Sequence, residues 1–483
     1  MDTVRDMSDT AERALAILLS DDLEPIVEMV FRTIGADRYE ALAHDGSVTF
    51  SRDDDGLRVD AVAGRNPLGD QAEDRFVGIE AELAGLHPTR TENSYPHGYQ
   101  QVAQLFDHPA APDLCVLHSA GHYWGDQGGH IGEHGSIDAV QARAPFIIAG
   151  RGVAELGMVD RSCRLIDVAP TIAALLGVGQ ITGADGAALV DVLDDATRPK
   201  HVIGLLWDGT NPNVLYDLAA NGGAPNAARL MAMGTTFKFG AMSNLPTVTL
   251  ANHTSIVTGA APGHHGILHN AWYDRSLGQQ VITNSPATWP GARDWLWPSV
   301  ETIHETVLRN RPDTFTVSIN EPTDRGASWS TFDDIRLGSY VRPNMPEELP
   351  FSTERFVRPS KDYRWSSKVD HLGMEHAVRI WSEDGPKPAF MWCNFTLTDA
   401  AFHEGGPHSD IARASVADTD ARLGAILDAV EAAGALDDTA FVLVADHGME
   451  QANESCTGDW DVALRDAGLS FRDEAYGFLY FDV

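Results

Sequence analysis

Four short stretches carry side chains suited to chemistry: Asp208-Gly209, Asp399 with His403, Asp446-His447-Gly448, and His134 in GEHGS. Each follows an apolar run that reads as a strand. One carboxylate or imidazole per strand end is a pattern that metal binding explains. A mixed Asp/His set suits Zn²⁺, whereas Mg²⁺ and Ca²⁺ favour oxygen ligands alone. Singly, each has a plainer reading. Asp-Gly after a strand is most often a turn, and a lone His is most often solvated or satisfied in a core. Their concurrence at one sheet edge gives the set its weight. Asp399 and His403 stand four residues apart where a strand gives way to a loop, so both can face one ion. His122 and His130 share the stretch GHYWGDQGGHIGEHGS with His134 and compete with it.

The stretch NLPTVTLANHTSIVTGAAPGHHGI, residues 244 to 267, offers a nucleophile. LPTVTLA leads into NHTSIVTGA, which can start a helix, so Thr249 falls at a helix N-terminal edge. Backbone N–H groups and the helix dipole favour an anion there. A threonine hydroxyl is a weak nucleophile at neutral pH, and a bound metal can activate it. Capping is the alternative role for Thr249, and more so for Thr247, Thr254, Ser255 and Thr258.

These residues need a scaffold. HVIGLLW (201–207), AFMWCNF (389–395), AFVLVA (440–445), LCVLHSA (114–120) and PFIIAG (145–150) read as strands of a parallel sheet, buried on both faces. SDIARASVADTDARLGAILDAVEAAG (409–434) reads as a helix capped by Ser409 or Asp410. The alternation predicts an α/β fold: a doubly wound, mostly parallel sheet with helices on both faces. Ligands bind beyond the carboxyl ends of such strands. Residues 45–63 read as a hairpin, 191–200 as a linker, and 284–388, rich in Trp, Pro and Arg, as an inserted cap over the site.

Thirty-five Lys and Arg against 70 Asp and Glu give a net charge of −35. Repulsion argues against duplex nucleic acid or an anionic membrane as partner. A small anionic substrate needs a locally positive site, which metal ions can supply. The four cysteines are widely spaced with no CxxC, so buried inert thiols are expected. No basic segment precedes an apolar one near Met1, and no apolar run reaches a membrane-spanning length. A soluble cytoplasmic protein, monomer or homodimer, is the expectation.

Taken together, WDG, PTVTLANHTSIVTGAAPGHHGI, TDAAFHEGGP, ADHGM and GEHGS resemble the alkaline phosphatase superfamily. The nearest branch is the type I phosphodiesterase/nucleotide pyrophosphatase group, with phosphonoacetate hydrolase among its relatives. The resemblance covers roughly residues 110–176, 201–285 and 388–450. It implies two Zn²⁺ ions, or Mn²⁺ or another divalent ion in their place. Asp208, Thr249, Asp446 and His447 match one metal site, and Asp399, His403 and His134 match the other. Asn252 matches an asparagine that donates to a phosphoryl oxygen. His265 matches a structural position. Trp272 and Tyr273 are offered as stacking residues for a substrate ring, with core packing as the alternative.

The order of these motifs departs from the family. GEHGSIDAVQARAPFIIAGRGV and LIDVAPTIAALLG resemble the end of such a domain, yet they precede the Asp208 strand. A circular permutation of one catalytic domain is the expectation: residues 201–483 correspond to the family's first part, with the cap at about 284–388, and residues 1–200 to its last. His134 serving a neighbouring chain in a swapped dimer is the alternative. The implied reaction is hydrolysis of a small phosphodiester, nucleotide pyrophosphatase-like, through a phosphothreonine. Phosphonoacetate-type C–P cleavage and phosphomonoester hydrolysis on the same site are alternatives, as is a non-catalytic metal-binding scaffold.

Overall fold

The computed structural model describes residues 9–125, 129–338 and 361–482. Its main sheet has eight strands, in the order Trp329–Ser330, Thr316–Ile319, Phe390–Phe395, His201–Trp207, Thr439–Val444, Phe146–Gly150, Gly234–Phe237, Gly157–Val159. The first five run parallel to one another. Along the central strand, Ile203, Leu205 and Trp207 pack under helices Pro212–Ala220, Lys361–Ser382 and Asp410–Ala432. Val202 and Leu206 face the other way, towards helices Val168–Leu176, Thr249–Thr258 and Ile303–Asn310. Both faces are thus covered by helices, as expected of a doubly wound sheet, and this is why its central strands are buried at nearly every position. Ser409 caps the Asp410–Ala432 helix, its hydroxyl accepting from the Ala412 N–H.

Two strand expectations need correction. Phe146–Gly150 belongs to the main sheet but runs antiparallel to Thr439–Val444. Leu114–His118 is a strand of a different sheet. That second sheet is antiparallel throughout, in the order Phe471–Glu474, Phe478–Phe481, Leu114–His118, Val27–Gly35, Arg38–Ala43, Gly46–Asp53, Gly56–Gly64. Its last two strands are the expected hairpin. A five-residue apolar run, buried on both sides, looks the same in either sheet.

The 284–388 segment is only in part a cover. Thr316–Ile319 and Trp329–Ser330 extend the main sheet, while Trp289, Phe332 and Trp365 wall a cavity above it. Residues 339–360 of this segment lie outside the described residues. All four cysteines are free, three of them buried. Among the described residues, no helix is long and apolar enough to cross a membrane.

Candidate metal centre

Asp208 follows the last residue of the central strand, Asp446 and His447 follow Thr439–Val444, and Asp399 lies in the first turn of the helix Leu397–Gly405 just beyond Phe390–Phe395. All four therefore stand at the carboxyl edge of the sheet. Gly209 makes the turn possible. Its φ is 62°, and a Cβ there would stand 2.7 Å from an oxygen of Asp399. Its N–H donates to Asp446 Oδ1 at 3.0 Å.

Two groups of ligand-type atoms result, each with all atoms within 4.8 Å of one another. The buried group is Asp208, Asp446 and His447. His447 Nε2 lies 3.2 Å from Asp446 Oδ2 and 3.9 Å from Asp208 Oδ1. The open group is His134, Asp399 and His403, all half-buried. Asp399 Oδ1 lies 3.4 Å from His403 Nε2 and 3.9 Å from His134 Nε2. The groups adjoin: the rings of His134 and His447 stack with centroids 3.7 Å apart.

The three imidazoles are oriented alike. Nδ1 of His447, His134 and His403 faces the carbonyl of Gly448, Thr247 and Gly132 at 2.9, 2.8 and 2.8 Å. A proton belongs on each Nδ1, which turns the Nε2 lone pair inward. Burial, with His447 and His403 nearby, holds the His134 pKa well below its ordinary value, so it stays neutral as a ligand must. Burial also raises Asp208 well above the carboxylate range, and the charges of Asp446 and Asp399 add to this. Burial opposes ionisation of Asp446 too, but His447, His253 and the Gly209 N–H overcome it and lower its pKa.

Asp208 Oδ1, Asp399 Oδ1, Asp446 Oδ2 and His447 Nε2 are buried with no hydrogen-bond partner. Such orphans are rare in folded proteins. A divalent cation in each group would satisfy them all, so the residues present fit the ions that the motifs imply.

Thr249 is the first residue of the helix Thr249–Thr258. Every residue from 241 to 258 is buried except Thr249. Its side chain shares a cavity of about 920 Å³ with Asp208, His253 and Asp399. The loop before it is braced by Thr247, whose hydroxyl donates to the Ser136 carbonyl at 2.7 Å and accepts from the Gly135 N–H at 2.9 Å. The segment carrying His134 is therefore docked against the segment carrying Thr249.

Asn252 does not do what its motif position implies. Its side chain is fully buried. Nδ2 donates to the carbonyls of Pro246, Asn244 and Val248, and Oδ1 accepts from the Asn244 N–H at 2.8 Å. Helical side chains lean toward the N-terminus, so one turn inside the helix Asn252 reaches back into the loop rather than over Thr249. Asn270 is turned the other way. Its Oδ1 accepts the Leu250 N–H at 2.9 Å, which leaves Nδ2 as the donating end. It borders a second cavity, of about 310 Å³, with Val248, His134 and His403. The sequence signal was an Asn three residues beyond the GHHGI turn.

His253 also escaped the sequence reading. It is buried between the ligand carboxylates, with Nε2 3.4 Å from Asp446 Oδ2 and 3.6 Å from Asp208 Oδ2. Its Nδ1 meets Glu321 Oε2 at 3.0 Å. Burial alone would discourage its charge, but Glu321, Asp208 and Asp446 outweigh burial and raise its pKa well above normal. Glu321 lies 68 residues further along the chain, so no local pattern could link the two.

Trp272 and Tyr273 are core residues, not substrate contacts. Trp272 is 1% exposed, packed edge-on against Trp295, and Tyr273 packs against Tyr480. The strand Ala271–Asp274 turns both into a core shared with Phe31 and Phe478. The aromatic residues that line the Thr249 cavity are Trp289, Trp329, Phe332 and Trp365. His265 is buried, bonded to the Ala251 carbonyl and the Ser255 hydroxyl, and burial lowers its pKa to about 3. His122 is buried away from both groups, with Nε2 on the Gly458 carbonyl. His130 lies beside His403, ring centroids 4.3 Å apart, outside the open group.

A sheet edge bearing two adjoining Asp/His groups and a helix-start threonine places the chain in the alkaline phosphatase superfamily. More narrowly, it belongs to the type I phosphodiesterase / nucleotide pyrophosphatase family, whose family model matches residues 202–482. Alkaline phosphatase PafA of Elizabethkingia meningoseptica is 37% identical over 114 residues, 24% of this chain and 20% of that protein. Venom phosphodiesterase 2 of Crotalus adamanteus is 25% identical over 239 residues, 47% of this chain and 24% of that protein. The chain thus matches about a quarter or less of the length of these relatives. Among solved structures, phosphonoacetate hydrolase from Sinorhizobium meliloti in complex with phosphonoformate is 20% identical. That match has a TM-score of 0.37 and covers 56% of this chain and 60% of that one.

Proposed function

We propose that this protein is a metal-dependent hydrolase of small phosphodiesters, with Thr249 as nucleophile. The observation that carries the reading is the ring of partnerless buried ligand atoms beside the one open residue of the Thr249 helix. Asp208, Asp446 and His447, with the Thr249 hydroxyl, would hold one ion, and His134, Asp399 and His403 the other. The Asp/His set favours Zn²⁺, with Mn²⁺ as a substitute. Two divalent ions, when bound, supply positive charge to the oxygens of the reacting phosphoryl group.

The chain's own residues do the rest. The Thr249 oxygen bonds to phosphorus as the alcohol leaves in line, giving a phosphothreonine that water then hydrolyses. Asn270 Nδ2 is placed to donate to a non-bridging oxygen as charge develops there. Asn252 and Thr247 hold the loop that presents Thr249. His253, backed by Glu321, stands against Asp208 Oδ2 and Asp446 Oδ2. Asp208, Asp399 and Asp446 offset three of the four charges of two divalent ions, which suits a singly charged diester better than a monoester dianion. Arg275, the nearest cation in sequence after the motif, is engaged with Asp113 and the Tyr480 ring and clamps nothing here.

We further infer that the chain is a circular permutation of one domain, with His134 acting within its own chain. Support comes from the family match, which starts at residue 202, and from His134 standing beside Asp399 and His403 of that matched part. A small phosphodiester or phosphonate, rather than nucleic acid duplex or membrane, remains the partner that the acidic chain favours.

The test is hydrolysis of bis(4-nitrophenyl) phosphate by zinc-loaded protein. Thr249→Ala should lose at least about 10³-fold in turnover while its zinc content holds. Undiminished turnover in that variant would remove Thr249 as nucleophile.

A further inference from the structure

Two ligand sets in this molecule share one residue. Besides completing the open group, His403 forms a third set with His130 and Glu133, again with ligand atoms within 4.8 Å of one another. The Nδ1 of His403 is committed to the Gly132 carbonyl, so a single lone pair, on Nε2, is left to give. That lone pair cannot bind two ions at once. The third set and the open group are therefore alternative positions for one ion.

Their surroundings differ in a graded way. The His130 side chain is 47% exposed and that of His134 only 11%. Glu133, with His130 Nδ1 at 3.5 Å, lies between them in the chain. His130, Glu133, His134 and His403 all border the same cavity of about 310 Å³, which is not the cavity lined by Trp289 and Trp365. His130 is the exposed member of the third set, while the Glu133 side chain, at 10%, is as buried as His134. The short strand Gly132–Glu133 pairs with Glu450–Gln451, three residues beyond His447, which keeps the third set in register with the centre.

We propose that His130 and Glu133 are a loading station for a divalent cation of the zinc type, which passes to His134 and Asp399 while His403 stays bound throughout. No covalent bond forms or breaks in the transfer. Two ligands are exchanged for two others of the same kinds, imidazole for imidazole and carboxylate for carboxylate, so the ion moves between chemically matched positions. The buried group has no exposed member: Asp208, Asp446 and His447 are all buried. The inference rests on the metal-dependent reading above.

The experiment is zinc uptake by metal-stripped protein, followed by stopped flow with a chromophoric zinc chelator, with zinc per chain measured at equilibrium. The proteins are wild type, His130→Ala and Glu133→Gln. Glu133→Gln keeps the shape of the side chain, and melting temperature checks that both variants fold. The expected result is two zincs per chain in all three proteins. One uptake phase should slow about tenfold or more in each variant, because the local capture of cations is lost, while the other phase is unchanged. Wild-type uptake rates in both variants would overturn the inference. So would a fall to one zinc in His130→Ala, which would make His130 a permanent ligand. Wild-type protein that binds no zinc would instead overturn the metal-dependent reading itself.

Discussion

The buried and the open ligand groups have the same chemistry and different construction. Asp208, Asp446 and His447 all come from residues 208–447, lack exposure, and are backed by a buried His253–Glu321 pair. His134, Asp399 and His403 are drawn from both parts of the chain and are half-buried. The first group is built by one stretch folding on itself. The second exists only because the segment around His134 docks against the loop before Thr249. The difference teaches that one candidate ligand group lies wholly within the family-matched part, while the other joins two parts of the chain.

That contrast can be broken at several points. After Thr249→Ala, the largest effect should come from Asn270, which borders the open group and belongs to neither group. Asn270→Ala is expected to lower diester turnover about 10²-fold, with zinc content and melting temperature near wild type. Unchanged turnover, measured under saturating substrate, would leave the phosphoryl oxygen without its proposed donor. Next, Glu321→Gln weakens the support of the buried group alone. Zinc titration should show one of two sites loosened by about 10- to 100-fold and the other untouched. Equal loosening of both would mean that the groups are not independent.

Asn252→Ala is the stability counterpart of Asn270→Ala. It strips the loop carbonyls of Asn244, Pro246 and Val248 of their shared donor, and should cost about 1–3 kcal/mol in urea unfolding. A variant as stable as wild type would show that the loop holds itself. The smallest effect concerns the docking of the two chain parts. His264 bridges Asp107 at 2.7 Å and Asp185 at 2.8 Å, and these contacts raise its pKa to about 9. Its unfolded value is near 6.5. A raised folded pKa means that its contribution is complete below about pH 6.5 and lost as pH rises through about 9. The side chain is a third exposed, so the gain is modest. Wild type should therefore lose its stability margin over His264→Gln across that window, and a margin that is flat in pH would contradict the charged bridge.

Much of this was legible in the residues. The apolar runs at 201–207, 389–395 and 440–445 located the strands, and the Asp and His residues after them located the two clustered Asp/His groups, because burial on both faces and an exposed strand end leave plain marks. What local pattern could not carry was partnership. Leu114–His118 has the composition of a buried strand in any sheet. Asn252 and Asn270 differ only in which way the backbone turns their amides. Trp272 and Trp289 differ only in whether a core or a cavity receives the indole. Glu321 needed the fold to bring it to His253.

The central claim is that residues before 201 complete a site built by residues after it. Counting zinc per chain by native mass spectrometry, for wild type and His134→Ala, tests it most directly. Two zincs falling to one, with diester hydrolysis collapsing alongside, is the predicted result. Two zincs and full activity in His134→Ala would contradict the account, because the open group would then stand without the member that, among the described residues, the first part of the chain gives it.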